Sequence, residues 1–396
     1  MGCFHRAIIR FILNIERVCL EAVGNGLDGA SARFGRFLKG LLYLLVVGSI
    51  VGFYYFFHFK YLQSGDEDHD NVMDLQMMID FVTVGSLISF PFAGPLHRAL
   101  GYFDDDPLQL QENLALLQKD RGTAQAISIA TICCCGYPTG ELLYFYHMLD
   151  AQVGLQILYV PFVFVSILPF YGNVLLVILT MRAILVRLYR VEDQVVEALE
   201  RTDGVLLGNY NSFASTDNGS DHVPSEPPNA SEDALQSVEM VRDWTREYRV
   251  IRKHVHSISD AFGLRMLIGL FSFTVDTTTM ISNLWQELGP SMAPKDVLAL
   301  LLSFCSNSIM ITTAFYSAAY LVTECSHHIG PKLAILAVRL HGEAPQFQVL
   351  TSAFLHAPVK IHVGVFEVAP EYANAIGMWF LGLFLVVFGL KIPGAE

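Results

Sequence analysis

Charge is what this sequence has least of. Of its 396 residues only 16% are Asp, Glu, Lys or Arg, against 53% apolar, and the mean hydropathy is +0.43. So little charge over so long a chain excludes an ordinary soluble domain and makes a lipid bilayer the solvent that the fold has to satisfy. The net charge of −13 comes from acids gathered in runs such as Asp66-Glu67-Asp68-His69-Asp70 and Asp104-Asp105-Asp106. No basic face able to neutralise phosphates is legible, which argues against nucleic acid as a partner.

A disulfide framework is also missing. The seven cysteines, Cys3, Cys19, Cys133, Cys134, Cys135, Cys305 and Cys325, are odd in number and scattered through apolar segments and the N-terminal tail. The Cys133-Cys134-Cys135 run therefore reads as small apolar packing rather than redox or metal chemistry.

No secretory signal is expected, because Arg10, Asn14, Arg17 and Glu21 interrupt the first apolar residues. Those residues lie opposite Ile8, Ile12, Ile15 and Cys19, the pattern of an amphipathic helix resting on the inner leaflet. Gly2-Cys3 invites a lipid anchor, but Arg6 stands where the acylation pattern wants Ser or Thr.

Catalytic signatures are absent too. There is no G-x-S-x-G elbow, no H-E-x-x-H and no P-loop, so no enzyme activity and no cofactor is expected. The nearest thing to a metal site is Glu324-Cys325-Ser326-His327-His328. Adjacent histidines on a helix point about 100° apart, and no second cluster at ligand spacing accompanies them, so no metal is expected.

What the chain has in abundance is apolar segments of bilayer length. A spanning helix needs about 20 apolar residues, and candidates fall near 38–59, 76–97, 124–148, 155–181, 264–285, 297–323 and 374–391. The expected fold is all-α: a multi-pass membrane protein with seven transmembrane helices. Pro91, Pro138, Pro161 and Pro169 inside these segments imply kinked helices with room for a cavity.

Orientation follows from the loops. With the N-terminus inside, 21 of the 25 Lys and Arg residues are cytoplasmic, against Lys60, Lys295 and Lys391 outside. That bias predicts a cytoplasmic N-terminus and an extracellular C-terminus, in the plasma membrane. The patterns Asn218-Gly-Ser and Asn229-Ala-Ser then lie in the cytoplasm and should carry no sugar.

The expected organisation is an amphipathic cytoplasmic segment over 1–37, six spans over 38–323, a cytoplasmic anchor over 324–373, and a last span with a short outer tail over 374–396. Within the six-span region, helical extensions over 183–200 and 239–262 flank a segment, 202–238, too poor in apolar residues to fold. Trp244, Tyr248, Ile251, Val255, Ile258 and Phe262 recur at four and three residues, and Leu188, Val191, Val195 and Leu199 do the same. Such stripes pack either against each other within one chain or against other copies of it. Phe347, Leu350, Phe354 and Ala357 predict a further cytoplasmic helix.

Polar and aromatic residues inside the spans are costly and often functional. Asp80, Glu141, Tyr144, His147, Tyr159, Trp285 and Asn307 fall in the outer half of the expected spans, and Asp276 in the middle of one. Together they either line an outward-open pocket for a small molecule or hydrogen-bond between helices. In the last span, Val386 and Leu390 are one turn apart and form either an apolar gate or part of a lipid-facing surface.

The stretch Phe354-Leu-His-Ala-Pro-Val-Lys-Ile-His-Val-Gly-Val-Phe-Glu-Val-Ala-Pro-Glu-Tyr, with Gly364-Val-Phe366 ahead of a final apolar span, resembles the approach to the last helix in arthropod gustatory receptors. Chain length and the inside N-terminus are similar to that family as well. The resemblance implies a homo- or hetero-tetrameric, ligand-gated cation channel opened by a tastant or odorant, with a pocket in each subunit and the last span of each lining one pore. The chain departs from the family's marker, T-Y followed by five residues and Q-F, where it has Gly382-Leu383 and Gly389-Leu390.

The alternatives are a seven-span receptor coupled to G proteins and a secondary transporter. The first wants an outside N-terminus, a D-R-Y after span 3 and an N-P-x-x-Y in span 7, none of which fits. The second wants an internal repeat that is not visible.

Overall fold

The computed structural model describes residues 3–23, 94–101, 107–148, 171–200, 239–260, 294–323, 329–339, 361–363 and 366–389, with a few single positions between them. They form helices α1 (Cys3–Val23), α2 (Pro95–Leu100), α3 (Pro107–Lys119), α4 (Arg121–Met148), α5 (171–200), α6 (239–260), α7 (Pro294–Thr323), α8 (Gly330–Arg339) and α9 (Pro370–Gly389). Ahead of α9, strands β1 (His362–Val363) and β2 (Phe366–Glu367) pair antiparallel, His362 opposite Glu367 and Val363 opposite Phe366. The chain divides into two units, one of residues 1–183, 257–319 and 361–396, the other of 184–256 and 320–360.

In the first unit α1 is amphipathic, with Ile12 and Cys19 buried and Arg10, Asn14 and Arg17 exposed as expected, but Ile15 is exposed and Glu16 takes a place on the buried face. Ile9, Ile12, Glu16, Cys19 and Leu20 are buried, while Phe4, Phe11, Ile15 and Val18 are exposed. The helix docks on α2, α3 and α4 through a face centred on a carboxylate. Glu16 is 0% exposed and accepts hydrogen bonds from the backbone N–H groups of Leu96 at 2.8 Å and His97 at 2.9 Å, with His97 Nδ1 at 2.6 Å. The first turn of any helix leaves N–H groups without partners, and here a side chain from 80 residues away supplies them.

Gly94, at the head of α2, has a left-handed φ of 59°. A Cβ there would also meet the δ carbons of Leu20 at 2.7 and 2.8 Å, so the backbone favours glycine and any side chain would have to displace the end of Leu20. At the other end of α2, Asn113 of α3 donates to the carbonyl of Leu100 at 3.0 Å.

Asp120 starts α4. It accepts from the N–H and the hydroxyl of Thr123, both at 2.6 Å, which caps the helix, and from Arg182 Nε at 3.2 Å. Further along, α4 approaches α7 through two glycines. A Cβ on Gly140 would stand 2.6 Å from the Ala299 carbonyl oxygen and 2.7 Å from Ser303 N, and one on Gly136 would collide with Ser306 Oγ. Small residues four apart let the two backbones close in this way.

Segments 124–148, 297–323 and 374–391, expected to span, coincide with α4, α7 and α9. Among the described residues, however, no helix is long and apolar enough to cross a membrane. Helix α4 interrupts its apolar run with Ser128, Thr131, Gly136, Thr139, Gly140 and Glu141. Helix α7 opens on Lys295 and Asp296 and carries Ser303, Ser306, Asn307 and Ser308, and α9 opens on Glu371 and Asn374. Most of 38–59 and of 76–97, and the segments 155–170, 275–285 and 202–238, lie outside the described residues.

In the second unit the two expected stripes are buried. Leu188, Val191 and Val195 of α5, and Trp244, Tyr248, Ile251 and Val255 of α6, are all nearly inaccessible, whereas Leu199 is half-buried. Trp244 Nε1 donates to Gln194 Oε1 at 3.0 Å. Arg187, only 1% exposed, pairs with Glu247 at 2.7 Å. These contacts place the stripes against each other within one chain. Lys332 of α8 pairs with Glu192 of α5. Phe262, Phe347, Leu350, Phe354 and Ala357 lie outside the described residues.

Candidate functional site

Helix α7 buries polar residues on more than one side, since Ser308 stands about 160° around the helix from Ser306. Ser303, Ser306, Asn307 and Ser308 are all buried. Ser303 and Ser306 meet the glycines of α4. Asn307 is 5% exposed, yet its Oδ1 has no hydrogen-bond partner, and Ser308 Oγ has none either. An unpaired buried acceptor costs about 1–3 kcal/mol. A molecule that donated a hydrogen bond there would recover that cost, which is how a mostly apolar site selects among ligands of similar size.

Asn307 is the one expected ligand residue whose side chain is described. Glu141, Tyr144 and His147 fall in the last turns of α4, where the helix is described and their side chains are not. Asp80, Tyr159, Asp276 and Trp285 lie outside the described residues. Val386 sits in α9 with its side chain outside the described set, and Leu390 lies just beyond it. The described residues therefore neither join nor separate the expected set.

The opposite side of α7 holds α9. Phe304 and Phe380 meet edge to face, with centroids 6.3 Å apart and planes at 82°, and Trp379 leans on Phe380 at 5.2 Å. Tyr316 donates its hydroxyl hydrogen to Asn374 Oδ1. A Cβ added to Gly377 would stand 3.9 Å from Thr312 Cγ2, so there is room for one between the two helices. Helix α7 thus stands between α4 and α9, touching the first through small polar residues and the second through aromatic ones. Tyr372, Met378, Leu381 and Leu385 of α9 are exposed.

Ahead of α9, Ser259 accepts from His362 N at 2.7 Å and donates to His362 O at 3.3 Å. Val368 N donates to Ile361 O at 2.8 Å, closing the hairpin that leads into the helix.

Some of these residues escaped the sequence reading. The pair Gly136 and Gly140 has the G-x-x-x-G spacing of close-packed helices, a signal that was available. Tyr316 and Asn374 carry no such signal, being 58 residues apart and unremarkable in type. Among the described residues no three His, Cys, Asp or Glu side chains are grouped to hold a metal ion. Residues 324–328 lie outside them.

No protein-family model matches the chain, and no curated protein does. Solved structures do. The insect olfactory receptor OR5 from Machilis hrabei in complex with eugenol matches 97% of this chain over 98% of its own, with a TM-score of 0.61 and 10% sequence identity. A second structure of the same receptor matches 96% of this chain over 97% of its own, with a TM-score of 0.59 and 11% identity. The chain therefore has the fold of an insect olfactory receptor, an all-helical chemoreceptor fold, along almost its whole length.

Proposed function

We propose that this chain is a chemosensory receptor of the gustatory type, working in the plasma membrane as a ligand-gated cation channel of four subunits. The observation that carries this reading is the likeness of fold over 97% of the chain to a receptor solved with eugenol. The composition supports it independently, since the apolar content and the one-sided Lys and Arg distribution call for a multi-pass protein with a cytoplasmic N-terminus.

A small apolar ligand with a hydrogen-bond donor enters from the outer side, meets Asn307 and is flanked by the outer turns of α4 with Glu141, Tyr144 and His147. Asp80, Tyr159, Asp276 and Trp285 complete the pocket. Helix α9 lines the pore, with Val386 and Leu390 as its apolar constriction. Ligand binding opens the channel only by as much as the ligand prefers the open state over the closed one. No covalent step is involved.

Two measurements test the reading. Protease protection of terminal tags in intact cells should leave the N-terminal tag protected and the C-terminal tag cleaved. Whole-cell recording with a panel of tastants and volatile phenols should then give ligand-evoked cation currents that Asn307→Leu weakens for donor-bearing ligands more than for purely apolar ones. An exposed N-terminal tag, or ligand responses carried by a second messenger with no direct current, would sink the channel.

A further inference from the structure

We propose that α1 binds the anionic phospholipids of the inner leaflet, seating an exposed apolar stripe among the acyl chains and laying Arg6, Arg10 and Arg17 against the headgroup phosphates. Docking on α2, α3 and α4 divides the helix into three faces. Ile9, Ile12, Glu16, Cys19 and Leu20 take the protein side. At 100° per residue they fill an arc of about 100°. Phe4, Phe11, Ile15 and Val18, all exposed, fall within about 60° of one another, centred about 120° from the middle of that arc. The arginines, exposed as well, fall within about 40° on the third side.

Both stripes call for a phospholipid. Two phenylalanines, an isoleucine and a valine along about 21 Å of helix are costly to leave in water and suited to an acyl layer. A helix lying at the boundary of acyl chains and headgroups brings a face turned about 130° from its apolar side to the level of the phosphates. Arginine meets phosphate there as a planar fork of donors. The basic stripe is undiluted, since the one acid among the described side chains of α1, Glu16, is buried against the head of α2. Arg6 and Arg17 also interact within the chain, and Arg10 stands exposed between them. Of the residues whose spacing alone turns them to the leaflet, Ile12 and Cys19 are buried in protein and Ile15 belongs to the exposed stripe. Charges of one sign beside an apolar stripe fit an anionic lipid surface better than a second copy of this helix, which would bring its own arginines to the contact.

The inference rests on the cytoplasmic N-terminus of the proposed function and leaves ligand, gating and assembly aside. The full-length protein is placed in nanodiscs of phosphatidylcholine, with and without phosphatidylserine, and hydrogen exchange is followed in peptides from α1. Phosphatidylserine should slow exchange over residues 3–20 about fivefold or more, because each Arg close to an anionic surface multiplies affinity by about that factor. Added salt should remove the effect. R6Q/R10Q/R17Q should abolish the difference between the two lipids, a readout that a purely structural role for the arginines would not move, whereas R6K/R10K/R17K should keep most of it. F11S/I15S should speed exchange in both lipids, because the apolar contact does not depend on the headgroup.

A phosphatidylserine effect that is absent from α1 in the unaltered protein, or that survives R6Q/R10Q/R17Q, would overturn the headgroup contact while leaving the topology intact. Loss of the effect in R6K/R10K/R17K as well would overturn it too, assigning the arginines to contacts within the chain. Exchange in F11S/I15S no faster than in the unaltered protein would remove the apolar stripe from the acyl layer. Cleavage of an N-terminal tag from outside intact cells would overturn the inner-leaflet site together with the topology, whatever the nanodiscs show.

Discussion

Glu16 has no exposed surface, yet it sits on the face by which a surface helix docks. Its two oxygens satisfy the N–H groups of Leu96 and His97 and meet the His97 ring, so removing it leaves buried donors with nothing to bond. A lost partner of this kind costs about 1–3 kcal/mol. Glu16→Ala should lower the thermal midpoint of the purified protein, whereas Asn14→Ala, exposed on the outer side of the same helix, should leave it unchanged. Equal effects from both would mean that the docking face has been misplaced.

Asp120 gives a second test at the same scale, on a residue outside the segments read as spanning. Burial raises the pKa of its carboxyl, but the hydrogen bonds from Thr123 and the Arg182 guanidinium lower it by more, so that it ends below the ordinary carboxylate value. A carboxyl whose folded pKa lies below its unfolded value of about 3.9 adds stability that is fully present above that pH. The contribution is lost as pH falls through the folded value. Asp120→Asn should therefore be less stable than the unaltered protein at neutral pH, with the difference shrinking below about pH 4. A difference that stays constant down to pH 3 would place the carboxylate's contribution elsewhere.

At the scale of elements, the two glycines of α4 make different predictions from one motif. At Gly140 an added Cβ meets backbone atoms of α7, which cannot move aside, while at Gly136 it meets only the hydroxyl of Ser306, which can rotate. Gly140→Ala should cost about 1–3 kcal/mol by overpacking. Gly136→Ala should be nearly neutral, because alanine's helix preference of about 1 kcal/mol offsets the adjustment of Ser306. Chemical denaturation of the two variants side by side would separate these cases.

The same scale shows which parts of the fold could be read from residues alone. The spacing of Trp244, Tyr248, Ile251 and Val255 is a local pattern, and the burial of those side chains follows from it. On α1 the burial of Ile12 and Cys19 followed in the same way, but that of Glu16 did not, because a charged residue there is tolerable only given the head of α2, 80 residues on. Asn307 stood out as a polar residue within an apolar helix, but its missing partner depends on what α4 and α7 bring near it. Periodicity reports which face of a helix is inward; it carries no information on which distant group that face will meet.

For the molecule as a whole, the proposed function requires that a ligand beside α7 influence α9. The described contacts between these helices include a hydrogen bond, Tyr316 to Asn374, and the aromatic cluster of Phe304, Phe380 and Trp379. A link that differs between closed and open states shifts the gating equilibrium by its differential energy and no more. A neutral hydrogen bond contributes about 0.5–1.5 kcal/mol, roughly a two- to twelvefold change in an equilibrium constant.

Tyr316→Phe and Asn374→Ala should each shift the ligand concentration for half-maximal current by an amount in that range, in the same direction, with surface expression unchanged. Because the two side chains form one bond, the double variant should shift the response no further than either single one. Additive shifts would mean that the two residues act separately, and α7 would then pass its signal to α9 through the aromatic contacts alone.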